Sequence, residues 1–396
     1  MTRLWDKGAP LDDRVLHYTA GEDFALDERL VLYDVLASIA HAEMLHEQKL
    51  LSAADLAAIR GGLTALGDEH AHGLWRIELT DEDGQTALER RLTERIGPAG
   101  GRVHLGRSRN DQVLTALRLY MRDAVEELSD GAVYVAQALE RLAEREKNTA
   151  LPGYTHMQQA MPSSVALWAG GFAAEVRDDA EGLSETRRRI DRSPLGSAAG
   201  YGAAGLPLDR NSTREKLAFA EVHQPVTAVQ LSRGKAEATL LFEIALVMQD
   251  LGRLATDVLL FYTQEFGFLE LPDAFTTGSS IMPQKRNPDV FELIRGRSAT
   301  AQACLAEALG LCAKLPSGYQ RDLQLLKAPL FRGIDLAQQT LDLLPAALDA
   351  IRFRPERIRL DPAIHAAEEA NRLVVAEGIP FREAYRRVAA KLKDRS

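Results

Sequence analysis

The sequence predicts an all-α protein. Two stretches of near-continuous helical periodicity lead to this: about 111–147, through Val113, Leu117, Tyr120, Ala124, Leu128, Ala136 and Leu139, and about 233–266, through Leu240, Ile244, Val247, Leu251, Leu254, Val258 and Phe261. Alternating β-branched runs are few, while Ala, Leu, Glu and Arg are plentiful, so strands are at best minor. A helix of about thirty residues spans about 45 Å, longer than one compact domain needs. Apolar content beyond one stripe predicts burial on several sides, as in a bundle shared between subunits rather than a rod.

The elements follow in order. Leu26–Leu51 carries a broad apolar face, with Leu30, Leu32, Val35, Leu36 and Ile39 at helical spacing, and a second helix follows Ser52 as N-cap over 53–66. Segment 70–79 is less regular, and Gly-Pro-Ala-Gly-Gly at 97–101 is a break. The connector PLGSAAGYGAAGLPLD at 194–209 suits a tight loop beside a ligand. The tail from Phe353 turns helical after Pro362 and Pro380. Three segments are therefore expected: 1–105, a central long-helix segment 106–352, and a small unit 353–396.

Composition narrows the function. Lys and Arg total 48 against 57 Asp and Glu, a net charge of −9, which disfavours nucleic acid as a partner. The opening MTRLWDKGAPLDD has no apolar run after its basic residue, and the greasiest stretch, near Leu240, is interrupted by Glu243, so a cytoplasmic protein without a membrane span is expected. Cys304 and Cys312 lie eight apart in a helical pattern, two turns apart, and are expected as core thiols rather than a disulfide.

Chemistry concentrates in TTGSSIMPQKRNPDVFELIRGR at 276–297. Gly278, Ser279 and Ser280 make a small-residue turn, Lys285 and Arg286 add positive charge, and Asn287 as N-cap, Pro288 and Asp289 start a helix whose N-terminal end favours anions. Alone this is a basic loop capping a helix; the full string GSSxMPxKxNP resembles the signature of the fumarase/aspartase superfamily. Four more stretches join it: GRVHLGRSRNDQV at 101–113, with Arg107, Ser108, Arg109 and Asn110 before a helix; LPGYTHMQQAMPSS at 151–164, with Thr155 and His156 in a loop; EDGQTALERRL at 82–92, with Glu82 and Asp83 in a first helical turn; and SGYQRDLQLLK at 317–327, with Tyr319, Gln324 and Lys327. Each is weak alone. Together with LDERLVLYDVLASIAHAEML at 26–45 they resemble the argininosuccinate lyase family over nearly the whole chain.

The resemblance implies a three-domain helical subunit in a homotetramer around a central bundle, with sites drawn from three subunits and neither metal nor organic cofactor. It implies reversible cleavage of argininosuccinate to arginine and fumarate. Ser279 on the closing loop is then the catalytic serine, here assigned as base and activated by helix-end N–H groups and Lys285, and His156 the second catalytic residue with Glu292 orienting it. Lys285 and Asn287 bind the succinyl carboxylates with Ser108, Asn110 and Thr155; Arg109, Tyr319, Gln324 and Lys327 bind substrate, and Asp83 lies near its arginine portion. This chain also departs from the family pattern. The opening Asn-Ala-Ser is Gly21-Glu22-Asp23, placing Asp23 at a substrate contact; Ser-Asp-Arg-Asp becomes Leu231-Ser232-Arg233-Gly234, retaining Arg233; Gln85 stands where His is usual; and the C-terminal unit is short. Another fumarate-releasing lyase, of adenylosuccinate lyase type, and a noncatalytic crystallin-like protein are the competing readings.

Overall fold

The computed structural model describes residues 12–393; the opening residues on which the cytoplasmic expectation partly rests lie outside them. The chain is all-α, with four two-stranded ladders as its only sheets among the described residues. The longest helices are Arg109–Arg145, Lys235–Tyr262, Asp289–Cys312 and Lys327–Ala350. The first two match the periodic stretches to within a few residues, because a sustained apolar repeat leaves a segment one face to bury.

Contacts group the chain into two units: 1–128, 182–245 and 301–336 form the first, and 129–181, 246–300 and 337–396 the second. Their bounds differ from the three sequence segments: 1–105 falls in the first unit, 353–396 in the second, and 106–352 is divided between both.

In the first unit, helices Val31–Glu47, Ala53–Ala71 and Gly84–Ile96 enclose a core that includes Val35, Leu45, Ile59, Leu63 and Leu92. Ser52 caps the second of them as expected, its side chain accepting from Asp55 N at 3.1 Å. The break at 97–101 is a 3-10 turn, Gly97–His104. Gly100 is required there, because a Cβ would meet Thr93 Cα at 2.7 Å.

The second unit holds the loop 276–287 and, against expectation, a β-hairpin over 150–164. Ala150–Thr155 pairs antiparallel with Gln158–Ser164. Arg352–Phe353 pairs with Leu269–Glu270, and helices Ala366–Glu377 and Phe381–Lys393 then pack through Ala370, Ala384 and Val388. Trp168 sits edge-on to Phe172, Phe261 and Phe353 and donates to Asp257 Oδ2 at 2.9 Å.

Cys304 is buried as expected, whereas Cys312 is only half-buried. Among the described residues no helix is long and apolar enough to cross a membrane.

Candidate active site

A cleft with a cavity volume of about 120 Å³ opens in the first unit, lined by Asp23, Asp83, Gln85, Arg109, Asn110, Val113, Arg233, Tyr319, Arg321, Gln324 and Lys327. These residues come from five separate stretches. Each is fixed by local chemistry. Asp83 does not lie in a first helical turn; it is the N-cap of Gly84–Ile96, its Oδ1 accepting from Thr86 N at 2.8 Å. Its other oxygen accepts from Arg109 Nη1 at 2.7 Å. Glu82 precedes the cap with a positive φ of 69°.

Ser108 does not line the cleft. It starts the long helix instead, its Oγ accepting from Asn110 N at 3.3 Å and its own N–H donating to Asp111 Oδ1 at 2.9 Å. The second Asp111 oxygen accepts from Gly196 N at 3.0 Å and Ala198 N at 2.8 Å, tying the glycine-rich connector to this turn. Burial pushes the Asp111 carboxyl up to about 6, although these N–H groups pull against it.

Lys327 forms the floor. Its ammonium is 2% exposed and lies 2.7 Å from Asp23 Oδ1, with Asp27 as a second partner. Asp27 is wholly buried and also accepts from Gly84 N at 3.0 Å. Burial acts to lower the Lys327 ammonium, but the carboxylates of Asp27 and Asp23 hold it above its ordinary value. Burial, opposed by Lys327 and reinforced by Asp27, pushes the Asp23 carboxyl up to about 7.

Gln85 faces the cleft on one side and on the other a small enclosed pocket with Asp34, Ser38, Arg107 and Gln112. Its amide donates to Asp34 Oδ2, whose carboxyl burial pushes up to about 8. Arg233 is buried with Glu237 at 3.6 Å and donates to Leu323 O at 3.2 Å. Gln324 donates to Thr19 O at 3.0 Å and Ala20 O at 3.3 Å, pinning the turn that carries Asp23.

Asp27, Asp34, Asp111 and Arg321 were not among the sequence-derived candidates. A usable signal existed. Asp27, Asp34, Ser38 and His41 recur at helical spacing and are all buried, a polar stripe inside an otherwise apolar run.

The remaining candidates belong to the second unit, and none lines this cleft. His156 and Met157 form the two-residue tip of the hairpin with φ of 52° and 61°, the turn type that normally takes glycine or asparagine. Thr155, His156 and Met157 are exposed. Non-glycine residues with positive φ at a functional position are a recognised place to store strain.

The loop is closed by a second small hairpin, Thr277–Gly278 paired with Arg286–Asn287. Asn287 is therefore a strand residue rather than an N-cap, and the helix starts one step later at Asp289, with Phe291 N and Glu292 N bonding to Pro288 O. The Asn287 amide donates to Thr277 Oγ1 at 3.3 Å and Gly278 O at 3.4 Å. Ser279 Oγ accepts from Met282 N at 3.2 Å and Ile281 N at 3.4 Å. The N–H groups that meet the serine thus come from its own turn, not from the helix end. Lys285 and Glu292 are exposed, and among the described residues no hydrogen bond joins Glu292 to His156. Nor does any group of three or more His, Cys, Asp or Glu side chains there have an arrangement that could hold a metal ion.

A family model described as Lyase matches residues 16–303. The same fold occurs in an EDDS lyase variant solved with bound fumarate, at TM-score 0.81 and 25% identity, covering 97% of this chain and 76% of that one. It occurs also in a fumarate lyase from Mesorhizobium sp. BNC1, at TM-score 0.76 and 21% identity over 98% and 89%. Matched span and fold define a lyase of this helical class. Among curated proteins, the argininosuccinate lyase of Sorangium cellulosum is 49% identical over 392 residues, 98% of this chain and 90% of the relative. That of Xylella fastidiosa is 43% identical over 394 residues, 99% and 88%, and that of Stenotrophomonas maltophilia 42% over 390 residues, 98% and 90%. The chain belongs to the argininosuccinate lyase family and is a carbon–nitrogen lyase.

Proposed function

We propose that this chain cleaves argininosuccinate reversibly to arginine and fumarate, within arginine biosynthesis. The observation that carries the reading is the gathering of Asp23, Asp83, Arg109, Asn110, Arg233, Tyr319, Gln324 and Lys327, from separate stretches, into one charged cleft.

The reaction removes a proton from a carbon beside a carboxylate and expels a guanidinium nitrogen from the neighbouring carbon. Negative charge develops on the carboxylate, so a base, an acid and fixed positive groups are needed. Ser279 is proposed as the base. Serine is a poor one, and the two turn N–H groups that meet its Oγ stabilise the alkoxide that proton removal requires. Lys285 adds charge, and loop closure would exclude water. His156, oriented by Glu292, completes the proton transfers. Lys285 and Asn287 hold the succinyl carboxylates with Ser108, Asn110 and Thr155; the Asn287 amide would exchange two long hydrogen bonds for carboxylate contacts.

Because Thr155, His156, Ser279, Lys285, Asn287 and Glu292 belong to a different unit from the cleft, the complete site is proposed to assemble between subunits of a homotetramer. Exposed Phe242, Leu246, Leu293 and Leu309 on the long helices support that assembly. Light scattering is expected to show an active tetramer; a fully active monomer would refute it. The three-part division 1–105, 106–352 and 353–396 and a cytoplasmic location belong to the same proposal. The functional test is ultraviolet detection of fumarate from argininosuccinate beside adenylosuccinate, with turnover expected from the first alone.

Gln85 provides a sharper check, since glutamine cannot exchange a proton near neutral pH. The wild type is expected to be active, with Gln85→His changing kcat by less than about fivefold, because one neutral hydrogen bond is worth about 1 kcal/mol. Background activity in the wild type, raised manyfold by the histidine, would show the chemistry to be misplaced.

A further inference from the structure

The charges lining the cleft are unequally matched. Arg109 has Asp83 at 2.7 Å, Arg233 has Glu237 at 3.6 Å and Arg321 has Glu82 at 3.7 Å. Lys327 alone has two carboxylates. Asp27 has both oxygens engaged, one by Lys327 and one by Gly84 N. Asp23 gives Oδ1 to Lys327 and lines the cleft, and among the described residues nothing donates to its Oδ2. With Asp23 ionised, the group of three therefore carries a surplus negative charge, exposed to the cleft at one carboxylate oxygen. Gln324 holds the preceding turn through Thr19 O and Ala20 O, so this oxygen is fixed in place before a ligand arrives.

We propose that Asp23 is a specificity-determining residue of the cleft, its free oxygen taking the α-ammonium of an amino-acid ligand and selecting against N-acylated forms. This rests on the reading of the cleft as a substrate site. Of the two cations on the arginine portion, the geometry favours the ammonium. A planar guanidinium is matched by two carboxylate oxygens side by side, whereas an ammonium is a compact charge that needs one. The guanidinium also carries the bond to be broken and must lie among the proton-transfer groups, none of which lines the cleft.

A second consequence concerns protons. Burial holds the Asp23 carboxyl near 7, so part of the free protein is protonated there at neutral pH. An ammonium favours the ionised form, and binding should release protons. The other charged groups facing Asp23 are Lys327, Asp27 and Asp83.

The test is calorimetric titration of L-arginine and Nα-acetyl-L-arginine into wild type, Asp23→Ser and Asp23→Asn, in buffers of different ionisation enthalpy. Lys327 keeps Asp27 in both variants, so its charge is not stranded, and thermal melting confirms folding. The wild type is expected to prefer L-arginine by at least about tenfold, the worth of a charge-assisted hydrogen bond, with proton release. In both variants the preference and the proton release should vanish, while acetylarginine binds within about twofold of wild type. Retained preference in the variants, or equal weakening of both ligands, overturns the proposal. Fumarate release from argininosuccinate by the same wild-type preparation separates the failures. If it occurs, only the Asp23 assignment falls; if neither it nor L-arginine binding is seen, the substrate reading falls too.

Discussion

Replacing Ser279 by alanine is expected to lower kcat for argininosuccinate by at least about a thousandfold while leaving substrate binding measurable. A hydroxyl that removes the carbon-bound proton is used in the transition state, and its loss appears in kcat rather than in ground-state affinity. The structure allows a clean experiment. Ser279 is half-exposed, its Oγ accepts among the described residues from Ile281 N and Met282 N, and the loop is closed independently by the ladder 277–278 with 286–287. Its removal should not collapse the turn. Single-turnover kinetics with unchanged circular dichroism would separate lost chemistry from lost structure. Retention of most of kcat would remove Ser279 from the proton transfer.

The second large effect concerns stability. Lys327→Met is expected to cost about 3–5 kcal/mol, because removing one partner of a buried ion pair strands the other, and here two carboxylates are stranded. Methionine nearly fills the volume, so the loss is electrostatic rather than a cavity. The sign with pH follows. Without the ammonium, the Asp23 carboxyl, already raised by burial, rises further above its unfolded value, and the native state holds more protons than the unfolded one. The stability of the variant therefore falls as pH rises from the ordinary carboxylate range through 7. Thermal melts of variant and wild type at pH 5 and at about pH 8 check this: the gap should widen at the higher pH. A gap that narrows would contradict the charge assignment.

Elements with one dominant cause were legible in the sequence. The helices Arg109–Arg145 and Lys235–Tyr262 and the cap at Ser52 follow from periodicity and a hydroxyl placed before it. The hairpin over 150–164 was not, because Pro152, Gly153 and Pro162 interrupt any alternation and His156–Met157 is not a turn pair by composition. Helix Lys327–Ala350 escaped notice because the polar Gln320-Arg321-Asp322 run before it reads as loop. At the site, no spacing rule links Asp23, Asp83, Arg233 and Lys327; the resemblance singled them out and the fold brings them together. Asp27 and Asp34 were passed over because single acids on an apolar helix ordinarily mark its solvated edge, whereas here they are buried.

The central claim is that the cleft of one subunit and the loop of another make one active site for argininosuccinate. Co-expression of Ser279→Ala with Asn110→Ala tests it most directly. Each variant alone should be nearly inactive. Random mixed tetramers should regain up to about a quarter of wild-type fumarate release, the share of sites that draw an intact Ser279 and an intact Asn110 from different subunits. No recovery in mixed tetramers of confirmed composition, with each variant folded, would contradict a site shared between subunits.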